Sequence, residues 1–516
     1  MSEMTFRELT PVSFLERAAA VFADRLAVVD RNLRYTYAQF WVRAQRMAGM
    51  LADHGVRPGD RVAVLAPNTH VLLEAHYGVP LAGAVLVAMN TRLAAPEIAY
   101  ILEHSEARLV IADAEYQPVL AKALSGNKEP PTLITSTQYE PLVDKAAPLR
   151  VEVTDERSVL SINYTSGTTG RPKGVMYHHR GAYLQALAMA YHTKLDTSSR
   201  YLWTLPMFHT NGWCFPWAVT AAGAVHRCLG KIDAEEIWRA IRAEGITHFC
   251  AAPTVLAMLA DHPDAVTAGP HPVRVFAGGA PPWPALLARM DALGIDVRHL
   301  YGLTETFGPA VVCEWQPEWD GLPAEHRVRL TARQGIANMI AEPVRVVDSA
   351  GADVPADGET LGEIVLRGND VMLGYYRDAE ATAAASLDGW FRSGDLGVKH
   401  PDGYIELRDR IKDVIVSGGE NITSVEVENT LTEHPDVLEA AVVGASHPKW
   451  GEVPIAFVVL RSGASAGERE LIEFVRSRIA GFKTPHHVIF RELPKTSTGK
   501  LQKNVLREWA TQPEQT

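Results

Sequence analysis

Tyr164-Thr-Ser-Gly-Thr-Thr-Gly-Arg-Pro-Lys-Gly174 is the stretch on which the reading of this chain turns. Ser166, Thr168 and Thr169 bring hydroxyl donors. Gly167, Gly170 and Gly174 let successive backbone N–H groups turn toward one anion, and Lys173 adds a positive charge. A concave set of donors without a fixed negative charge suits a polyphosphate. Residues 158–164 just before it have strand character, so the loop leaves a strand end, where α/β proteins place ligands. It is not a Walker A loop: the residue five after Gly167 is Pro172, where that pattern needs glycine. A P-loop kinase or GTPase is thereby disfavoured.

Outward from this loop, short apolar runs alternate with longer amphipathic segments. Residues 62–65, 84–87, 109–111 and 273–276 read as strands, and Ala234 to Ala243 as a helix. The alternation predicts βαβ units and largely parallel sheets. Residues 127–148, with several Pro and Lys, read as a loop. From about Pro343 the texture becomes hairpin-rich. A charged junction at 408–413 marks a further boundary. Beyond it, Thr423-Ser424-Val425-Glu426 reads as a capping box, and strands at 440–443, 455–460 and 488–490 flank a helix near 468–479.

With 516 residues the chain is too long for one core. Its net charge of −11 argues against a nucleic-acid partner or docking to anionic membranes. Cys214, Cys228, Cys250 and Cys313 include no Cys-x-x-Cys pair, which disfavours structural zinc, and so few thiols fit a reducing compartment. The start Met1-Ser2-Glu3-Met4 lacks a signal-peptide pattern, and the apolar run 77–89 is too short to span a bilayer. A cytoplasmic protein without a membrane span is expected; a homodimer is left open.

Further loops join the first. Gly278-Gly279-Ala280 follows a strand, as where a flat ligand lies against bare backbone. His299 to Thr306 follows another and offers a ring, hydroxyls and a carboxylate, suited to a base, phosphate and Mg²⁺. Ser393-Gly394-Asp395 places an acid in a turn, an acceptor for ribose hydroxyls. Pro494 to Lys500 puts a lysine on a glycine-containing loop before a helix.

Together with Leu205–His209 and Arg408–Asp413, these motifs resemble, in order, the adenylate-forming superfamily, in its acyl-CoA synthetase branch. The resemblance runs from about Thr36 to the helix after Lys500. It implies an α/β fold: a large N-terminal domain of two α/β subdomains plus a small β unit, and a smaller mobile α+β C-terminal domain. The division expected is an adenylation domain over 1–409, a hinge over 410–412 and a cap over 413–516. The implied cofactors are ATP, Mg²⁺ and CoA, with a carboxylic acid as substrate. The acid would be activated as acyl-AMP, then passed to the CoA thiol.

The implied roles follow the motifs. Thr165, Ser166, Thr168, Thr169 and Lys173, with Gly167 and Gly170 in the same loop, hold the β- and γ-phosphates. Gly279, Ala280 and Tyr301 bracket adenine. Thr304 contacts the α-phosphate, Glu305 ligates Mg²⁺, and Asp395 and Arg410 hold the ribose. Lys500 bridges the acyl carboxylate and α-phosphate. Lys412 is the hinge that swings Gly418, Gly419 and Glu420 toward the pantetheine tunnel, and His209 is the gate between that tunnel and the acyl site. Trp213, Cys214 and Trp217 are expected near the acyl pocket with Gly278 and Gly302. No Asp falls between Trp213 and Trp217, so an apolar acid is expected, from short or medium chain to cyclic or terpenoid.

Two alternatives stand beside this reading. A stand-alone ligase would load a carrier protein instead of CoA. A serine hydrolase would use Ser465, in Gly463-Ala-Ser-Ala-Gly467, with a Glu and His486 or His487 completing its triad.

Overall fold

Apolar strands flanked by amphipathic helices bury both faces when they pair in parallel. The computed structural model, which describes residues 6–165, 171–268, 273–279, 282–495 and 501–511, is built this way in its first 340 residues. Among the described residues the chain forms four sheets. A seven-stranded sheet runs, in spatial order, Gly374–Tyr375, Gly174–His178, Val159–Tyr164, Val85–Ala88, Arg61–Leu65, Ala107–Ala112 and Thr132–Thr135. Its last five strands are parallel, and the first two close one edge antiparallel. A nine-stranded sheet is parallel from Ile295–Leu303 through Val273–Ala277, His248–Ala251, Arg200–Leu202 and Val225–Arg227 to Leu26–Asp30, with antiparallel strands at both edges.

One buried core unites the two sheets, with Val62, Leu72 and Leu109 from one side and Trp203, Trp217 and Phe276 from the other. The phosphate-type loop and the Tyr301–Thr306 segment therefore leave different sheets that share one interior.

The third sheet is antiparallel: Arg345–Val347, Gly362–Leu366, Trp390–Lys399 and Ser386–Leu387, with Ile405–Arg410 paired on Trp390–Lys399. The fourth belongs to the C-terminal part, where Val437–His447 and Gly451–Leu460 form a long hairpin joined by Ile415–Ser417, Glu420–Ile422 and His487–Phe490. Helices Ser424–Thr432 and Glu468–Arg476 pack with it over a core of its own. The expected α/β class, with a large N-terminal and a smaller C-terminal domain, is the one observed.

Four local expectations need correction. Residues 127–148 are not a loop: Thr132–Thr135 adds a parallel strand, and Ser136–Lys145 is a helix whose Thr135/Gln138 capping box outweighs Pro141. His299 to Leu303 does not follow a strand but is the end of one, Ile295–Leu303. Asp395 lies in a strand rather than a turn, because Gly394 at φ +70° lets Trp390–Lys399 bulge and continue. Helix Ser424–Thr432 opens as expected, but Thr423 accepts no capping bond. Glu426 is instead drawn to Lys483 at 2.7 Å.

Candidate active site

The loop that follows Val159–Tyr164 is pinned at its base. Thr165 donates its N–H to the Lys173 carbonyl (2.9 Å), and Lys173 returns its N–H to Thr165 Oγ1 (3.2 Å). Ser166, Gly167, Thr168, Thr169 and Gly170 lie outside the described residues. Lys173 Nζ sits 4.8 Å from the centre of the Tyr375 ring, a cation–π contact. The Tyr375 hydroxyl donates to Glu305 Oε1 at 2.7 Å. Glu305 occupies a 3-10 turn, Thr304–Thr306, whose backbone is held from two sides. The Tyr177 hydroxyl donates to the Thr304 carbonyl (2.6 Å) and the Met372 N–H to the Glu305 carbonyl (2.8 Å). One aromatic residue thus joins the loop's cation to the candidate metal carboxylate.

Among the described residues no cluster of three metal-ligating side chains exists. Glu305 has one oxygen on Tyr375, and its Oε2 carries no hydrogen bond from a described residue. This donor set fits Mg²⁺, which is commonly held by one or two carboxylates, substrate phosphates and water.

A second cluster lies on the adjoining strand ends. The Tyr301 hydroxyl donates to Asp395 Oδ2 at 2.7 Å, and Arg410 Nε lies 3.1 Å from Asp395 Oδ1. Asp395 and Arg410 face each other across paired strands, which sets their spacing. Asp395 is buried. Burial, and then the Asp395 charge, push the Tyr301 phenol well above its ordinary pKa, so it stays a donor. Gly279, at φ +84°, has open space where a side chain would sit, as a ligand face requires. Gly278 and Gly302 are glycines for another reason. A Cβ at Gly278 would meet Trp213 at 2.5 Å, and one at Gly302 would meet the Gly308 carbonyl at 1.9 Å. Ala280 lies outside the described residues.

The segment after His209 has unusual backbone geometry. Thr210, Asn211, Gly212, Trp213 and Cys214 all have positive φ, from +40° to +63°. They form one left-handed turn, with Gly212 N–H bonded to the His209 carbonyl (2.8 Å) and Cys214 N–H to the Asn211 carbonyl (3.1 Å). Left-handed geometry costs about 1–2 kcal/mol for each residue other than glycine. Asn211 supplies the restraint. Its N–H donates to Asn163 Oδ1 (3.0 Å), its Oδ1 accepts from Ser161 Oγ (2.6 Å) and Asn163 Nδ2 (2.5 Å), and its Nδ2 meets His76 Nε2 (3.0 Å). His76 Nδ1 lies 2.7 Å from the Leu72 carbonyl and must be its protonated nitrogen, leaving Nε2 as the acceptor. The turn seats Trp213 against Gly278 and Gly308, whereas Cys214 and Trp217 are wholly buried behind it.

On the C-terminal side, Ile411–Asp413 forms a 3-10 turn after the strand Ile405–Arg410. Arg507 grips this turn through the Lys412 carbonyl (3.2 Å) and Asp413 (2.5 Å). Asp409 Oδ2 accepts from both the N–H (2.5 Å) and the hydroxyl (2.8 Å) of Ser424. Lys503, 2.7 Å from Glu428, reaches the same hydroxyl. Gly418 and Gly419 make the reversal before Glu420, both at positive φ, and Gly418 donates to the Trp450 carbonyl at 2.7 Å. Lys500 lies outside the described residues. Ser465 sits on an exposed loop tied by its N–H to Asp436 at 3.3 Å, and His487 lies against Glu468. No triad forms there among the described residues.

The geometry therefore gathers Lys173, Thr304 and Glu305 in one cluster and Tyr301, Asp395 and Arg410 in another. Gly278 is brought to the turn that begins at His209, while Gly418, Gly419 and Glu420 stand on the C-terminal sheet. Tyr375, Asn211, Asn163 and His76 were not singled out from sequence. Their one signal was polar character inside otherwise apolar segments.

Comparison with known proteins gives the family. The AMP-binding enzyme family model matches residues 15–376, and the AMP-binding enzyme C-terminal domain model matches 426–500. The chain is 43% identical to the peroxisomal acetate/butyrate–CoA ligase AAE7 of Arabidopsis thaliana, covering 97% of this chain and 94% of that protein. It is 44% identical to 4-hydroxybutyrate–CoA ligase 2 of Metallosphaera sedula, with the same two coverages of 97% and 94%. Among solved structures, ATP-bound MatB from Rhodopseudomonas palustris matches with a TM-score of 0.87 at 28% identity, covering 96% of this chain and 98% of that one. The apo form of the same enzyme matches at 0.76 and 27%, with the same coverages of 96% and 98%.

Proposed function

This chain belongs to the AMP-binding enzyme family, in its acyl-CoA synthetase branch, and from that premise we propose that the two clusters bind one ATP and join its AMP moiety to a short aliphatic acid. The enzyme is an ATP-dependent acid–thiol ligase that forms acyl-CoA. A carboxylate is a poor acceptor for a thiol, because its leaving group would be oxide. In the first step a carboxylate oxygen attacks the α-phosphorus, and the bond to the bridging oxygen breaks with its electron pair leaving on pyrophosphate. In the second, the CoA sulfur attacks the acyl carbon, the carbon–oxygen bond to AMP breaks, and the thiol proton goes to solvent.

The observation that carries this assignment is the joining of Lys173 and Glu305 through Tyr375. Lys173, with Thr165 and the hydroxyls of Ser166, Thr168 and Thr169, would neutralise the β- and γ-phosphates. Glu305 would hold Mg²⁺, which when bound offsets charge on the departing pyrophosphate. Thr304 would contact the α-phosphate. Asp395, oriented by Tyr301 and Arg410, would accept from the ribose hydroxyls while adenine lies against Gly279 and the Tyr301 ring. Lys500 would stabilise charge developing between the acid and the α-phosphate.

Lys500 and the Gly418–Glu420 segment belong to one cap, so each step needs its own cap orientation, turning at 410–412 with the adenylation domain over 1–409 and the cap over 413–516. The closer likeness to the ATP-bound than to the apo MatB structure supports an adenylating orientation here. A short acid is supported by the seating of Trp213 against Gly278 and by the acids named for the relatives. No helix among the described residues is long and apolar enough to cross a membrane. Cytoplasmic placement is part of the proposal, resting on four free buried thiols, although a plant relative is peroxisomal by name; cell fractionation decides it.

The test is incubation with ATP, Mg²⁺, CoA and acetate, butyrate or 4-hydroxybutyrate. Acyl-CoA and AMP should form in equal amounts by mass spectrometry. AMP release that rises with a phosphopantetheinylated carrier protein and not with CoA would favour the carrier-loading reading. Absence of both products from all three acids would sink the proposal.

A further inference from the structure

We propose that Asn211 is the positioning residue that sets the acyl-length limit of this enzyme, by holding Trp213 in the left-handed turn that faces Gly278. The inference rests on the acyl-activating reading above and deepens it.

Trp213 and Gly278 come from different parts of the nine-stranded half of the molecule and pack so closely that even a methyl group on Gly278 would meet the Trp213 ring at 2.5 Å. The turn that delivers Trp213 is five residues long with positive φ throughout. Such a backbone persists only where the surroundings over-determine it. Asparagine tolerates this region better than most residues, and here its side chain is also fully used. It is bonded to Ser161 and Asn163 on the strand that leads into the phosphate-type loop, and to His76 on helix His70–Leu81. All four residues are buried, at 2% exposure or less, and uncharged in this arrangement. Burial lowers the His76 pKa to about 4, so its Nε2 stays an acceptor through the neutral range.

The second sheet is thereby tied to the first at the point where the acyl wall turns. Gly212 contributes in the same sense, since a Cβ there would meet Trp203 at 2.8 Å. Trp217 donates to the His76 carbonyl at 3.2 Å, which locks the helix after the turn to the same histidine. Asn211 touches neither nucleotide cluster, so its loss should move acid selection and leave ATP recognition in place.

The experiment compares the wild-type enzyme with Asn211→Gly and Ser161→Ala, using butyrate and octanoate in pyrophosphate release. Glycine enters the left-handed region freely, so Asn211→Gly removes the tether without opposing the backbone. The expected result is a fall of about tenfold or more in the butyrate-to-octanoate ratio of kcat/KM, the scale on which an apolar pocket discriminates a methylene or two. KM for ATP should change less than about twofold, since that interaction is untouched. Ser161→Ala removes one donor and should move the ratio the same way by about threefold; it also decides the matter if Asn211→Gly fails to show a cooperative melt. An unchanged ratio in either folded variant, or an equal loss on both acids, overturns the proposal. A wild-type enzyme that releases pyrophosphate with no acid would instead overturn the underlying reading.

Discussion

The proposed nucleotide side and the proposed acyl side of this site are built from opposite materials. On the nucleotide side, Lys173, Glu305, Asp395 and Arg410 carry formal charge, and two tyrosines aim the carboxylates through their hydroxyls. On the acyl side, His76, Asn163, Ser161 and Asn211 carry none, and what they hold is a backbone conformation. The difference follows the ligands. A triphosphate is recognised by fixed charge. A short acid of the kind proposed offers mainly shape, which on this proposal is set by where the Trp213 ring sits. Damage on the first side should weaken ATP use for every acid alike, whereas damage on the second should change which acid is chosen.

The sharpest way to break that division is Lys500→Ala. Adenylation should fall about a thousandfold, as when a transition-state charge partner is lost. Thioester formation from a synthetic acyl-adenylate should be spared, and equal loss in both half-reactions would show that the cap does not alternate. Asp395→Asn should come next. A charge-assisted bond to ribose is lost, so KM for ATP should rise about thirtyfold with acid preference unchanged in steady-state assays. Tyr375→Phe keeps the ring beneath Lys173 and removes the bond to Glu305. Adenylation should drop about tenfold, and the melting-temperature gain on adding MgATP should shrink. Lys412→Pro should slow thioester formation several-fold more than adenylation by stiffening the turn after Arg410, read by single-turnover measurement of each half-reaction.

The smallest effect concerns stability rather than either ligand. Burial lowers the pKa of His76, His178, His179, His248 and His299 to about 4 and that of His226 to about 3. These rings stay neutral in the fold, while an unfolded chain protonates them below about 6.5. The stability they supply is therefore full above that pH and is lost as pH falls from about 6.5 to 4. His70 runs the other way. Burial opposes its charge, but Asp30 and Glu140 raise its pKa to about 9, so its contribution is full below about 6.5 and is lost as pH rises through 9. Thermal melts between pH 4 and 10 should therefore show a maximum near pH 6.5, with an acid loss from the buried neutral histidines and an alkaline loss from His70.

The same contrast explains what the sequence made legible. Charged residues in glycine-bearing loops suggested the nucleotide side proposed above, because residue type there is the chemistry. Short, largely apolar runs bounded by turn residues marked 62–65 and 158–164 as strands, the second despite Ser161 and Asn163. Asn211 was not legible, because its role depends on a positive φ and on partners 48 and 135 positions away in the chain. Tyr375 was hidden likewise, 70 residues from Glu305. The Thr132–Lys145 strand and helix were missed because Pro and Lys outweighed the few buried positions, Ile134, Tyr139 and Val143, and a capping box.

One measurement bears most directly on the account: exchange of labelled pyrophosphate into ATP by the purified chain, with Mg²⁺ and a panel of short acids but no CoA. Exchange that depends on the acid is the result the account requires, since it reports reversible acyl-adenylate formation. No exchange with any acid of the panel, or exchange at the same rate without acid, would contradict it.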